Sequence, residues 1–399
     1  MIGLVPRDHW EHKITELLGG LVSALALRKD NERLYIDGLG NCLPVRSGRA
    51  GIVLAIKALN LSPGARIGVP LYCCSVVFKA IVAAGCEVRF IDIEPETFCM
   101  SPEDLWAKHS QVDAVIAVHM FGYLCDMPSL QNVAPGKPFI EDCAQALGSK
   151  IGDQFAGSFG NIAFFSFRSG KYLSVGEGGA LFTSDSNLSS RLSQFIGEMP
   201  VPTRLDEFAH AVKAYIKALL RSKPLYGVVG YPLWSILDKR MNLSERSGVS
   251  LGRIYRTDSA VTTKRLRLLD SAIRKQRSYA SFYSQTLKLE PGMLCKEKPK
   301  AFHNRYHYPI IFPSQEHRDF IADYLFRRRI DTIKYLDDIV DVAKRNFGYT
   351  GGCPVAERLS KRVLIIPSYH GLRQEDVQYI AQSLNSGWTE FTSQGHSTR

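Results

Sequence analysis

Lys171 and Asp142 are the two residues whose types and settings could do chemistry together. Asp142 ends an apolar run at 139–141 that reads as a buried strand, and it continues into Cys143-Ala144-Gln145. Lys171 stands just past a second apolar run at 164–167. Its setting is Phe165-Ser166-Phe167-Arg168-Ser169-Gly170-Lys171, followed by Gly176-Glu177-Gly178-Gly179. A lysine amine so placed can bond to an aldehyde carbon and later move a proton as a general base. A carboxylate can keep a heteroaromatic nitrogen protonated, so that the ring draws electrons from a substrate carbanion. Ser47-Gly48-Arg49 opens a further element, and the exposed N–H groups of a helix start attract phosphate. Each signal is weak alone: an isolated Asp caps helices, a lone lysine is solvated, and ordinary helix caps resemble Ser47-Gly48-Arg49. In combination they supply what pyridoxal 5'-phosphate needs. Ala144 and Gln145 suit packing under its ring and bonding its hydroxyl, and Ser166 could add a hydroxyl to the phosphate.

Groups of this kind belong at the carboxyl ends of strands in an open α/β sheet. The pattern from about 45 to 185 alternates accordingly. The spacing predicts helices at 47–60, 76–84 and 102–109, and strands at 66–70, 87–93, 113–121, 138–142, 162–167 and 180–184. Residues 190–255 are less regular, with an amphipathic helix at 207–220. One long helix is expected through Leu266, Leu269, Ile273, Ala280, Tyr283 and Leu287. A strand at 308–312, a helix at 316–329, a strand at 363–366 and a helix at 374–384 follow. The expected architecture is α/β: a large domain at 1–262 with a mostly parallel sheet flanked by helices, then a linking helix and small α+β domain at 263–399.

The 399 residues suffice for two domains, and 45% hydrophobic with 22% charged residues is ordinary for a globular enzyme. The start of the chain lacks the basic and apolar runs of an export signal. No stretch is apolar enough to span a membrane. The nearest, 224–237, is interrupted by Pro224, Gly227, Gly230 and Pro232 and reads as a covered loop or subunit contact, with an interfacial segment as the alternative. Nine dispersed cysteines without zinc-knuckle spacing suggest reduced thiols in a cytoplasm and no metal site. A net charge of +11 favours anionic partners. Basic clusters such as Arg327, Arg328 and Arg329 sit among acidic residues in helical stretches, so a phosphate-bearing small substrate fits better than nucleic acid.

Five segments in order carry a resemblance: VRSGRAGI at 45–52, FIDIEPETF at 90–98, VHMFGYLCDM at 118–127, IEDCAQALGS at 140–149 and GSFGNIAFFSFRSGKYLSVGEGG at 157–179. The chain resembles the DegT/DnrJ-type sugar aminotransferases, a branch of the fold-type I pyridoxal-phosphate enzymes, over about 40–190 and again over 353–384. The resemblance implies that Lys171 bonds the cofactor and Asp142 faces its ring nitrogen. It implies that Gln145 bonds the ring hydroxyl, that Ala144 lies against the ring, and that Gly48, Arg49 and Ser166 hold the phosphate. His119 matches a family histidine near the cofactor, with a buried structural imidazole as the alternative. Cys74 stands where the family usually places an aromatic ring over the cofactor, a gap that Tyr72 or another aromatic could fill. The family's asparagine reaching a neighbouring subunit's phosphate falls somewhere in 240–258, with Asn242 as the candidate.

The implied activity moves an amino group from glutamate or glutamine to a keto group of a nucleotide-linked sugar, in a homodimer. A sugar dehydratase of the same fold is the nearest rival, and Lys171 speaks against it because those relatives carry histidine there. A non-catalytic regulatory or scaffold member is the second rival, and intact Asp142, Gln145 and Lys171 oppose it.

Overall fold

Runs of buried apolar residues such as Ala114–Val118, covered on both faces by helices, put the strands at the centre of the molecule. The computed structural model describes residues 3–8, 10, 13–25, 33–240 and 248–394. Its main strands are β1 (Leu34–Ile36), β2 (Gly40–Val45), β3 (Arg66–Pro70), β4 (Glu87–Ile91), β5 (Ala114–Val118) and β6 (Phe139–Asp142). After the short β7 (Lys150–Ile151) and β8 (Gln154–Phe155) come β9 (Ile162–Ser166) and β10 (Gly179–Phe182). Eight of these form one sheet in the order β1-β2-β10-β9-β6-β5-β3-β4. The five strands from β9 to β4 run parallel, whereas β10 and β1 are antiparallel to their neighbours. Pro70, Val118, Asp142 and Ser166 therefore lie at one edge, the carboxyl ends of adjoining strands.

The C-terminal part pairs β12 (Tyr308–Ile311) with β13 (Val363–Ile366), while β11 (Ala301–Phe302) pairs with β7. The helices Leu269–Thr286, Gln315–Arg327 and Gln374–Gln394 cover β12 and β13 around a second apolar cluster that includes Tyr283, Ile310, Leu325 and Leu384. Part of this segment returns to the first core: Ile339, Tyr349, Ala356 and Leu359 pack with the large sheet. A continuous core thus couples the C-terminal elements to the carboxyl edge.

The structure departs from the spacing in three places. Residues 186–240 are more regular than their composition suggests: besides the expected helix, which runs Arg204–Leu220, they form the helices Ser186–Gly197 and Tyr231–Arg240 with a π-helical turn at Tyr226–Gly230. The 224–237 stretch is therefore helical rather than a covered loop, and Val228 and Ile236 are about half exposed, at 52% and 51%. The expected long helix through Leu266 is two helices, Arg256–Leu266 and Leu269–Thr286. The break has a local cause, because the Leu268 N–H turns back to the Arg265 carbonyl. Apolar spacing carries on across such a kink and so conceals it. Asn242 lies outside the described residues.

Gly179 shows how tightly the central strands meet the helix start. A Cβ there would come within 2.5 Å of the Phe165 carbonyl oxygen and 3.0 Å of the Gly48 nitrogen. Gly179→Ala should therefore cost about 1–3 kcal/mol, the range for overpacking, measured by urea unfolding. An unchanged midpoint would show that the backbone yields without cost.

Candidate active site

The carboxyl edge of the sheet assembles the site. Asp142 ends β6, between Val118 of β5 and Phe164 of β9 in register. Its side chain is buried, and Oδ1 accepts the Ala144 N–H at 2.9 Å. Burial pushes its carboxyl up from the ordinary range, against the pull of Ala144 N–H, Lys171 and His119. Such a carboxylate gains from a cationic N–H placed against it.

Lys171 sits in a loop closed on itself. Its N–H bonds the Arg168 carbonyl at 2.8 Å, and Arg168 bridges to Gly176. From outside, Arg265 donates to the carbonyls of Leu173 and Ser174, and its guanidinium pairs with Glu16 at 2.6 Å. The amine lies 5.4 Å from the Tyr306 ring centre. Burial, reinforced by the nearby positive Arg168, lowers its pKa to about 8, while Asp142 and Cys74 pull the other way. A substantial neutral fraction near neutral pH makes it a competent nucleophile and proton carrier.

The helix Gly48–Ala58 begins beside the end of β9. Ser47 caps it, its Oγ accepting the Ala50 N–H at 3.2 Å. A Cβ on Gly48 would lie 3.0 Å from the Ser166 Cβ and 3.2 Å from its Oγ, so glycine permits this approach. Arg49 stands next, its pKa lowered by burial and then by Arg168, with Glu177 opposing. The first N–H groups of the helix and the Ser166 hydroxyl thus adjoin, with Arg49 at the same helix start and the positive charge of Arg168 near enough to act on it. That donor set is suited to a phosphate dianion.

Gln145 is buried and doubly tied. Its Oε1 accepts the Phe121 N–H at 2.9 Å, and its Nε2 donates to the Tyr335 hydroxyl at 2.8 Å. Ala144 is half-buried against the main core. Cys74 caps the helix Ser75–Ala83 four residues beyond the end of β3, and its thiol acts on Lys171, Tyr306 and Tyr335 alike. Tyr72 does not fill the gap beside it. That ring is fully buried, and its hydroxyl donates to the Tyr335 carbonyl at 2.9 Å, so it supports Tyr335 from behind.

His119 is a strut. Its Nδ1 accepts the Cys125 N–H at 3.1 Å, which leaves Nε2 to donate to Glu141 at 2.9 Å. Glu141 also accepts the N–H groups of Gly157, Phe159 and Gly160. His119, Glu141 and Cys143 bring ligand-type atoms within 4.8 Å of one another. The donors already on the carboxylate make this cluster an internal hydrogen-bonded brace.

Several residues at the site gave no sequence signal. Tyr306, His307 and Tyr335 come from loops of the C-terminal part, and Asp8 from the start of the chain. The Tyr306 hydroxyl donates to the Gly170 carbonyl at 2.6 Å, and His307 lies 5.5 Å from the Tyr335 ring. Burial and the adjacent Lys171 lower His307 to about 3, so it is neutral in use. Asn304 anchors this loop by donating to the carbonyls of Gln145 and Leu147, both at 2.9 Å. A cavity opens from Lys171 past Asp8, Tyr306, His307, Tyr369 and His370.

Fold and site together define a pyridoxal-phosphate enzyme of the fold-type I class. The chain belongs to the DegT/DnrJ/EryC1/StrS aminotransferase family, whose sequence model matches residues 34–385. The family is pyridoxal-phosphate-dependent, and the protein is an aminotransferase. It is 27% identical to the GDP-perosamine synthase of Escherichia coli O157:H7 over 87% of this chain and 85% of that one. It is equally 27% identical to the UDP-N-acetyl-3-dehydro-alpha-D-glucosamine 3-aminotransferase of Acidithiobacillus ferrooxidans, over 87% and 84%. Its fold is similar to that of DesV from S. venezuelae, with a TM-score of 0.73, 21% identity, and 96% and 98% of the chains covered. No helix among the described residues is long and apolar enough to cross a membrane.

The lowered Lys171 has a direct consequence. Only its neutral amine can attack the cofactor's aldehyde, so capture of added pyridoxal phosphate by the cofactor-free protein should speed up as pH rises through about 8 and level off above it. Stopped-flow absorbance across pH 6–10 reads this on the order of each pH unit. A rate still climbing towards the ordinary lysine range would contradict the burial argument.

Proposed function

We propose that the protein moves an amino group from glutamate or glutamine to a keto group of a nucleotide-linked sugar, with Lys171 and Asp142 as the catalytic pair. The observation that carries this reading is the buried Lys171 amine, lowered to about 8, with the buried Asp142 acting on it from the same strand edge. The sugar class is taken from relatives named for GDP- and UDP-linked amino sugars.

The residues present fit the cofactor: the Gly48–Ser166 approach leaves a cradle that a larger side chain would fill, and Asp142 is a buried carboxyl in need of a cationic partner. When bound, the cofactor supplies an aldehyde that takes up the amino group and a ring that draws electron density from the breaking bond. Lys171 would hold it and, once released, would move the proton as the general base of the reaction. Asp142 keeps the ring nitrogen protonated. Gln145, whose amide now meets the Tyr335 hydroxyl, would bond the ring hydroxyl, Ala144 would pack against the ring, and Gly48, Arg49 and Ser166 would hold the phosphate. With Cys74 too small to cover the other face, Tyr335, held from behind by the Tyr72 hydroxyl on its carbonyl, is an aromatic that could take up that task. The neutral His307 and Tyr306 close the cavity against bulk water around Lys171.

A homodimer accompanies this reading, as the family resemblance implies. The helix Ile14–Leu25 offers an uncharged exposed face with Ile14, Leu18 and Val22 at four-residue spacing, and its one carboxylate, Glu16, is turned inward to Arg265. That composition suits a second copy.

The test needs no sugar. Glutamate or glutamine added alone to the cofactor-loaded protein should shift its visible band to the near-ultraviolet band of the amino form of the cofactor, with release of the matching keto acid. A loaded protein whose spectrum no common amino acid changes would instead favour the dehydratase or scaffold readings.

A further inference from the structure

Residues 208–237 contain no acidic side chain and four basic ones, Lys213, Lys217, Arg221 and Lys223. They fold as one helical unit. Gly230 lets the turn Tyr226–Gly230 close against the end of Arg204–Leu220, since a Cβ there would meet the Leu220 carbonyl oxygen at 2.0 Å, and Tyr231–Arg240 follows it. The buried side of Arg204–Leu220 is Glu207, Ala211, Ala214 and Ala218. Away from that side Leu205, Phe208, Ile216 and Leu219 are exposed at 76%, 54%, 50% and 44%, three, eight and three residues apart, so that they share one flank of the helix. The adjoining turn and helix also expose Val228, Leu233 and Ile236, at 52%, 42% and 51%. Lys213 flanks the stripe in solvent, and Lys223 stands at its end, paired with Asp376.

We propose that this unit is a monotopic docking surface for an anionic lipid membrane, the apolar stripe entering the headgroup boundary and the lysines meeting lipid phosphates. Large exposed apolar areas on globular proteins mark interaction sites. Helices with an apolar face bearing Phe, Leu or Trp and a lysine-rich flank lie in the plane of a membrane interface. Self-association through the same face is disfavoured by charge. A twofold contact centred on the stripe would bring Lys213 of two copies together, with no carboxylate within 208–237 to pair with it. Lysine is in any case depleted from protein interfaces. The overall +11 acts in the same direction as the local charge.

The surface adjoins the active site. Arg221, at the end of the docking helix, bonds Asp8 at 2.7 Å and lies under the rings of Trp10 and Trp234, 4.6 and 4.8 Å away. Asp8 and Trp10 in turn lean on Gly170, next to Lys171. A membrane-seated enzyme would therefore present the mouth of its cavity close to the lipid surface.

The experiment is vesicle flotation of the full-length, cofactor-loaded protein. Binding to vesicles containing phosphatidylglycerol should exceed binding to pure phosphatidylcholine vesicles by roughly tenfold and weaken with salt. Ile216→Asp and Leu233→Asp, tested separately because both positions are exposed, should each reduce it by roughly tenfold or more. Lys213→Glu should reduce it by roughly tenfold, and in all three the cofactor absorbance should stay that of the wild type. Three results would overturn the proposal: no preference for the anionic vesicles, binding that these substitutions leave unchanged, or a wild-type oligomer that they split in light scattering. The last would seat a second copy on this face.

Discussion

The dehydration of one lysine sets the terms for the rest of the structure. An ammonium group in water loses its proton only at high pH, and an aminotransferase needs that nitrogen free at neutral pH to bond an aldehyde and carry protons. Burial at the carboxyl edge of the sheet supplies the shift, and Arg168 adds to it. The same burial would drive Asp142 towards its neutral form, which would disable it as a partner for a ring nitrogen. Each group opposes the other's shift, so the two must be buried together and held at fixed separation. A parallel sheet meets that need, because adjacent strands end at the same level.

Much of the remaining architecture can be understood as bracing. The Lys171 loop is closed by its own bonds, among them Ser169 N–H to the Gly176 carbonyl and Gly170 N–H to the Ser174 hydroxyl, and Arg265, backed by Glu16, pins its far side through the Leu173 and Ser174 carbonyls. Asp258 performs a similar service one turn on. It accepts the Glu177 N–H at 3.1 Å and pairs with His210 at 2.8 Å, tying the glycine-rich stretch after Lys171 to two helices. Below Asp142, the His119–Glu141 pair and three backbone N–H groups on Glu141 fix the end of β6. These contacts lie behind the reacting groups, and they explain why buried charges recur in a core that is otherwise apolar. Loss of one partner would leave an unpaired charge in a medium that tolerates it poorly.

What the sequence revealed was local. Asp142, Lys171, Gly48 and Ser166 each sit within a few residues of a strand end or helix start, so short motifs and periodicity locate them. The parallel strands were readable for the same reason. Tyr335, Tyr306, His307 and Asp8 were not, because their positions depend on how distant loops pack against the edge, with Asn304 and Tyr72 as the hidden anchors. The hairpin of β1 and β2 was missed because three residues on one side carry too little alternation to register. The helix Tyr231–Arg240 was obscured by the outward-facing Leu233 and Ile236, which blur the usual contrast between core and solvent. That same blurred composition is what marks the stretch as an interaction surface.

The central claim is that Lys171 is the nitrogen to which the cofactor is bonded. Borohydride reduction of the loaded protein, followed by protease digestion and mass spectrometry, tests it most directly, since reduction makes the bond permanent. The expected result is bleaching of the visible band and a single modified peptide with the added mass on Lys171. A label on another lysine, such as Lys150, or a bound cofactor that borohydride cannot fix to the chain, would contradict it.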